Sequence, residues 1–273
     1  MSIETYIRPI KPLKNFDIVL DYVGNMKKRE IMLLPNEMIY KIHLPNISIK
    51  QIEYSKEPGN NYSVRITSLA CKEDWDLYKD TIKAILHLTQ GQAYYENESR
   101  IDDIDTYYND KYIRNAQLSE WDIMKKLVDH EKKPIGTYCP FGWFYIGKNT
   151  VAEMEAYSSD EMKQIERLWY YIRIAQYELP HPQYTPVYDL LEKEEDKKRT
   201  LTGYNLNEFS YISYADLFAL NDGNDSYLIP YEKLKEQKPK SWALIDEVQY
   251  RARALSEYEW NEFLNRVKKN SII

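Results

Sequence analysis

The sequence predicts an α+β protein with antiparallel sheets and packed helices, and three stretches carry that prediction. Between residues 31 and 69, apolar residues alternate in four short runs: Ile31 to Leu34, Met38 to Leu44, Ile47 to Tyr54 and Tyr62 to Leu69. Pro35-Asn36, Pro45-Asn46 and Pro58-Gly59-Asn60-Asn61 separate them. A period of two bounded by Pro, Gly and Asn is the pattern of consecutive strands joined by tight turns. From Lys72 the period becomes helical. Trp75, Tyr78, Ile82, Ile85 and Leu86 share one face, Glu73, Asp74 and Asp76 favour the positive N-terminal end, and Gly91 stops the helix. The third stretch is Ser158 to Pro180. Ser158 stands three residues before Glu161, a capping-box spacing, and Met162, Ile165, Trp169 and Ile172 recur at steps of three and four. Leu168, Tyr170, Tyr171, Ile174 and Ala175 widen the apolar sector, which predicts a helix with a buried second half, ended by Pro180, around which the C-terminal half packs.

With 273 residues the chain has room for one large domain or two ordinary ones, and 43% hydrophobic residues suffices for a real core. The 26 tyrosines suit half-buried positions, where the ring packs and the hydroxyl reaches water or a partner. A net charge of −6, with no cluster of Lys and Arg beyond the short runs Lys27 to Arg29 and Lys197 to Arg199, argues against a nucleic-acid partner. No apolar run approaches the roughly 18 residues of a membrane helix, and the N-terminus carries no basic-then-apolar leader pattern. Cys71 and Cys139 stand far apart, which makes neither a disulfide framework nor a zinc site. These features read as a cytoplasmic protein. The abundance of Lys, Asn, Ile and Tyr matches what AT-rich bacterial genomes encode.

The rest of the chain follows the same grammar. Ser2 to Ile10 is compatible with an opening strand, and Phe16, Val19, Leu20 and Val23 make a short helical face that Gly24 terminates. The unit Tyr62-Ser63-Val64-Arg65-Ile66, Glu73-Asp74-Trp75 and Ile82-Lys83-Ala84-Ile85 resembles a strand-then-helix segment of uncharacterised bacterial domain-of-unknown-function families. That resemblance covers residues 62 to 91 and implies a bacterial α+β protein, with no catalytic residue to carry over. Between Gln92 and Asp122 acidic residues dominate, so 92–118 reads as a connection between an N-terminal domain, 1–115, and a C-terminal domain, 116–273. Ser119, three before Asp122, is expected to cap a helix ended by Pro134. Tyr138 to Ile146 is expected as one strand covered on both sides. Further on, Thr200 to Ile212 reads as a strand or hairpin, Ser213 to Asp216 as a helix start and Asn221 to Ser226 as a turn. Pro230 opens a helix, Ser241 to Ala252 reads as a last strand, and Ser256 with Glu259 caps a final helix.

No stretch carries recognisable chemistry. Gly142 to Asn149 has the spacing of a phosphate-binding loop, but its last position is Asn149 where a hydroxyl must reach magnesium. The four residues before Gly147 are large and apolar, so the reading is a buried strand ending in a Gly-Lys-Asn turn. Asn221 to Glu232 fails as a calcium loop, because Gly223 falls where a ligand is needed and Ser226 replaces the turn glycine. His43, His87, His130 and His181 are scattered, and structural roles suit each. No cofactor or metal site is expected. Asp102, Asp103 and Asp105 form the one acidic cluster offered to a partner. The functional expectation is therefore a non-catalytic protein-interaction module, of immunity type or accessory, whose Tyr-rich acidic surface meets a basic protein. The alternative is an enzyme or small-molecule binder with a pocket between its two parts.

Overall fold

The computed structural model describes residues 2–27, 32–35, 39–95, 99–131, 133–178, 184–191, 198–204 and 209–272. The class is α+β, with several separate sheets. Two compact units divide the chain, Met1–Leu179 and Pro180–Ile273.

The first unit contains β1 (Ser2–Arg8), α1 (Asp17–Lys27), β2 (Met32–Pro35), β3 (Ile39–His43), β4 (Ile52–Lys56), β5 (Tyr62–Thr67) and α2 (Lys72–Thr89). These are followed by β6 (Gln92–Tyr95), β7 (Arg100–Ile101), α3 (Ile104–Tyr107), α4 (Asp110–Glu131), β8 (Ile135–Cys139), β9 (Gly142–Ile146), α5 (Lys148–Tyr157) and α6 (Glu161–Arg173). Seven strands pair antiparallel in the order β2-β3-β4-β5-β1-β6-β7. Alternation aims Ile7, Ile42, Ile52, Tyr54, Val64 and Ile66 at Trp75, Tyr78, Ile82 and Ile85 of α2 and at Val19 and Val23 of α1, all in one buried core. Inside it the Thr5 hydroxyl meets the phenols of Tyr78 and Tyr108 at 2.7 and 2.8 Å, so the buried tyrosines keep hydrogen-bond partners.

The strands expected between residues 31 and 69 form, two of them shortened: residues 47–51 stay outside β4, which starts at Ile52, and β5 ends at Thr67 rather than Leu69. Asn46 takes a left-handed φ of 61° in the expected turn after Pro45. The turn expected at Pro35-Asn36 lies largely outside the described residues. Gly24 does not end α1, which continues to Lys27. Helix α2 forms as read, and Gln90, at φ 54°, is its left-handed cap one residue before Gly91. Residues 92–118, read as a connection, hold β6, β7, α3 and the start of α4 in the first unit, and Ala93 and Ile101 are buried. Helix α4 begins at Asp110, so Ser119 is a mid-helix residue and caps nothing.

Four corrections concern the stretch from residue 135 to 178. The single covered strand is a hairpin: β8 and β9 pair from Ile135 with Ile146 to Cys139 with Gly142, around Pro140-Phe141. Gly142, at φ 146°, takes a backbone angle that side-chain-bearing residues avoid. The supposed Gly-Lys-Asn turn opens α5, with Gly147 as its N-cap. Ser158 then closes α5, and Asp160 caps α6 by accepting a hydrogen bond from the Met162 amide at 2.9 Å. Helix α6 packs within the first unit: the Trp121 indole donates to Gln164 at 2.8 Å and the Trp169 indole to the Leu69 carbonyl at 2.8 Å. Its apolar sector is narrower than the sequence reading, because Tyr170 is exposed. A five-residue π-turn, Ile174–Glu178, follows Arg173; Pro180 lies outside the described residues.

The second unit contains β10 (Tyr188–Leu191), β11 (Lys198–Tyr204), β12 (Ser210–Ile212), β13 (Leu217–Asn221), β14 (Ser226–Pro230), α7 (Tyr231–Gln237), β15 (Ala243–Leu244), β16 (Tyr250–Ala252) and α8 (Glu257–Lys269). One sheet runs β10-β11-β13-β14 with β11 and β13 parallel, and another runs β12-β16-β15. The strand or hairpin expected over 200–212 is instead two strands in different sheets, β11 in one and β12 in the other. Ser213 to Asp216 opens no helix, because Asp216 accepts from the Thr200 amide and hydroxyl and leads into β13. The last strand is two short strands, β15 and β16, paired antiparallel. The box of Ser256 and Glu259 caps α8 as read, and Phe218, Leu234, Trp242, Trp260 and Phe263 fill this unit's core.

Candidate functional site

The acidic cluster is largely matched by its own surroundings. Asp103 caps α3 by accepting from the Thr106 amide at 2.6 Å, and these bonds hold its carboxyl below the usual range. Asp105 pairs with Lys83 at 2.5 Å and lies 3.8 Å from Lys79, both on α2. Asp102 pairs with Arg100 at 2.9 Å while its side chain stays 83% exposed. All three side chains are exposed, and Asp102, at 83%, is more open to solvent than Asp105, at 58%.

A buried polar cluster lies elsewhere in the same unit. Asp74, on the first turn of α2, is fully buried, and its Oδ2 accepts from the amides of Ile49, Lys50 and Cys71 at 3.1, 3.0 and 3.1 Å. The Cys71 thiol donates to the same oxygen at 3.2 Å. One carboxylate thus caps α2 and pins the segment between β3 and β4. Burial raises the Asp74 pKa against these donors, and it drives the Cys71 thiol well above its ordinary value with Asp74 adding to the effect.

Lys50 is also fully buried, donating to the Thr137 hydroxyl and to the Tyr138 carbonyl at 3.0 Å. Three further side chains lie against the Pro140-Phe141 turn. Gln51 donates to the Pro140 carbonyl at 2.8 Å, Gln176 on the π-turn accepts from the Phe141 amide at 2.7 Å, and His43 sits edge-on to the Phe141 ring at 5.4 Å. His43 is wholly buried, neither ring nitrogen has a hydrogen-bond partner among the described residues, and desolvation lowers its pKa to about 4. The imidazole is therefore neutral. Chemically this cluster is a clasp. Its thiol is protonated and closed to solvent, the opposite of what a nucleophile needs.

The other sequence-level candidates disperse. His87 is exposed on α2 and stacks on Tyr22 at 5.0 Å, His130 is exposed in the last turn of α4, and His181 lies outside the described residues. Lys148 is 3.4 Å from Asp129 and mostly exposed, at the first turn of α5. In the turn after β13, Asp222 accepts from the amides of Asn224 and Asp225 and from Lys268 at 3.0 Å, so a cation of the chain already holds that carboxylate. Among the described residues no three His, Cys, Asp or Glu side chains gather as a metal-ligating set, and no helix is long and apolar enough to cross a membrane.

Two aromatic surfaces escaped the sequence reading. Around the Arg167 guanidinium stand Tyr157, Tyr170 and Tyr171, with ring centroids 5.2, 5.2 and 4.7 Å away. Arg167 also donates to the Tyr171 hydroxyl at 3.1 Å, and that hydroxyl bonds Glu153 of α5. Tyr157 and Tyr170 are 59% and 48% exposed. On the hairpin, alternation sends Thr137, Cys139, Phe144 and Ile146 inward and leaves Gly136, Tyr138, Trp143 and Tyr145 on the other face. The signal was present at both places, as an i, i+3, i+4 series of Arg and Tyr on α6 and as a Pro-Phe-Gly turn splitting the 138–146 run. Compared with protein-family models, curated proteins and solved structures, the chain matches none.

Proposed function

We propose that the protein is a non-catalytic protein-interaction module, of immunity type or accessory, acting in the bacterial cytoplasm against a basic protein partner. The observation that carries this reading is the Arg167 cluster, because exposed Tyr grouped around a held Arg is the composition of an interaction hot spot. The side chains are already ordered by stacking and by the link through Tyr171 to Glu153, so docking on them forfeits little rotamer freedom. The net charge of −6 and the open Asp102 favour a basic partner by steering its approach. An enzyme or small-molecule binder draws less support, since the gathered thiol, carboxylate and imidazole are closed to solvent.

The test is capture of a basic partner from bacterial cytosol, followed by association kinetics at two ionic strengths. Tyr157→Ala with Tyr170→Ala is expected to speed dissociation at an unchanged melting temperature. Asp102, Asp103 and Asp105 changed together to Asn are expected to slow association and flatten its salt dependence. A captured partner that binds both variants as it binds the parent refutes the reading at these surfaces.

A further inference from the structure

We infer that the cleft between α7 and α8 of the second unit captures the C-terminal carboxylate of a peptide chain whose last residues are basic. The inference deepens the reading of a basic protein partner and rests on it for the source of that terminus. The cleft holds about 420 Å3. Glu259, Glu262 and Arg266, at steps of three and four along α8, supply one wall, and the end of α7 with the residues just beyond it supplies the other, through Glu236, Lys238 and Lys240. Pro239 alone among the lining residues carries no charge. Pockets for small molecules are mostly apolar, so this lining suits a charged chain end instead.

Two half-buried cations of the cleft are held in place without being neutralised. Arg266 Nε donates to the Gln237 carbonyl at 2.9 Å, which fixes the guanidinium and leaves its two terminal amino groups to a ligand. Lys238 Nζ donates to the Trp242 carbonyl at 2.8 Å and lies 5.4 Å from the Tyr250 ring centroid. Among the described residues neither cation has an ion pair, although three glutamates line the same cleft. Desolvation lowers the Lys238 pKa with no carboxylate countering it, so an entering anion gains an ion pair that the fold leaves unmade. A planar carboxylate fits the outer edge of a guanidinium with an ammonium beside it.

The acids decide what must accompany that carboxylate. Glu259 is occupied: it accepts from the Ser256 amide and hydroxyl at 3.0 Å each and pairs with Arg253 at 2.9 Å. Glu262 meets the Tyr258 hydroxyl at 3.0 Å, Glu236 has no partner among the described residues, and both are exposed. With Lys240 the lining carries three cations against three acids, so net charge draws neither sign. A phosphate dianion is repelled by Glu236 and Glu262, and a neutral ligand leaves Lys238 and Arg266 unpaired. A terminal carboxylate preceded by Lys or Arg meets both demands, its anion at Lys238 and Arg266 and its cations at Glu236 and Glu262.

The probe is acetyl-Gly-Lys-Gly-Lys with a free carboxylate, titrated into the full chain by calorimetry. Its controls are the same peptide ending in an amide and acetyl-Gly-Ala-Gly-Ala with a free carboxylate. The free-acid lysine peptide is expected to bind saturably, and each control at least about tenfold more weakly. Lys238→Gln keeps a donor for the Trp242 carbonyl and removes the charge, so it is expected to bring the free acid down to the level of the amide at an unchanged melting temperature. Should that variant not fold, Glu236→Gln, at an exposed side chain, is expected to weaken the lysine peptide and leave the alanine peptide as it is. Absence of saturable binding, equal binding of acid and amide, or no effect of either variant overturns the proposal. So does binding of free L-lysine or inorganic phosphate as tight as the peptide's. Those results leave the basic-partner reading standing, since it fails only if a captured partner ignores the Tyr157, Tyr170 and Asp102, Asp103, Asp105 variants.

Discussion

Replacing Asp74 by Ala strands the amides of Ile49, Lys50 and Cys71 in a fully buried place, along with the Cys71 thiol that donates to the same oxygen. Each orphaned donor costs about 1–3 kcal/mol, and breaking a buried charged network as a whole costs about 3–5 kcal/mol. The expected loss for Asp74→Ala is therefore about 3–5 kcal/mol. Asp74→Asn keeps an oxygen where Oδ2 stands but exchanges charge-assisted bonds for neutral ones, and it is expected to cost about 1–2 kcal/mol. Native-state hydrogen exchange at the α2 amides reads these free energies in the region they affect. The pH dependence carries a definite sign. With its folded pKa raised, Asp74 holds its proton to higher pH in the folded than in the unfolded chain. Its contribution is fullest below the ordinary carboxylate pKa and falls as pH rises through the raised value. The stability of the parent relative to Asp74→Asn should fall across that window. A loss under about 1 kcal/mol in Asp74→Ala, or equal losses in the two variants, refutes the clasp.

Three further outcomes follow from the same structure. His43, neutral and depressed to about 4, makes the parent lose stability as pH falls from about 6.5 to 4, because the unfolded chain takes up the proton first. His43→Leu should remove up to about 3 kcal/mol of that acid sensitivity and be near neutral at pH 7, as read by urea midpoints across pH. Trp169→Ala should cost about 3–5 kcal/mol through lost burial and the lost hydrogen bond to Leu69, with Trp169→Phe losing about 1–2 kcal/mol chiefly for that bond; a Trp169→Phe cost near zero in urea unfolding would discount the bond. Lys148→Ala should change stability by no more than roughly 0.5 kcal/mol, its ion pair with Asp129 being exposed. Nucleotide-dependent protection from heat that Lys148→Ala abolishes would overturn the assignment of Lys148 to a helix start.

Local chemistry was legible in the sequence wherever one short segment decided the outcome. The class, the strands between residues 39 and 67, α2 with its stripe, the turn at 221–226 and the Ser256 cap all follow from period, turn residues and capping within a few positions. Reading failed where two local signals competed. Ser158 and Asp160 both suit an N-cap, and the choice fell to Asp160 because Ser158 already closes α5. The aromatic run 138–146 reads equally as one covered strand or as a hairpin, and Pro140 to Gly142 turned it back so that one ring row faces outward. Tertiary structure alone decided the rest. The acids at 102–105 look free in sequence, yet Lys79 and Lys83 of α2 reach Asp105 across more than twenty residues of chain. The segment 47–51 carries a strand's apolar residues but is pinned through its amides by Asp74, a partner about 25 residues away that no local pattern names. Sequence fixes what a residue can offer within a turn or two of its own helix or strand. Which offer is taken depends on groups brought near by folding, because hydrogen bonds and ion pairs act over a few ångströms whatever their separation along the chain.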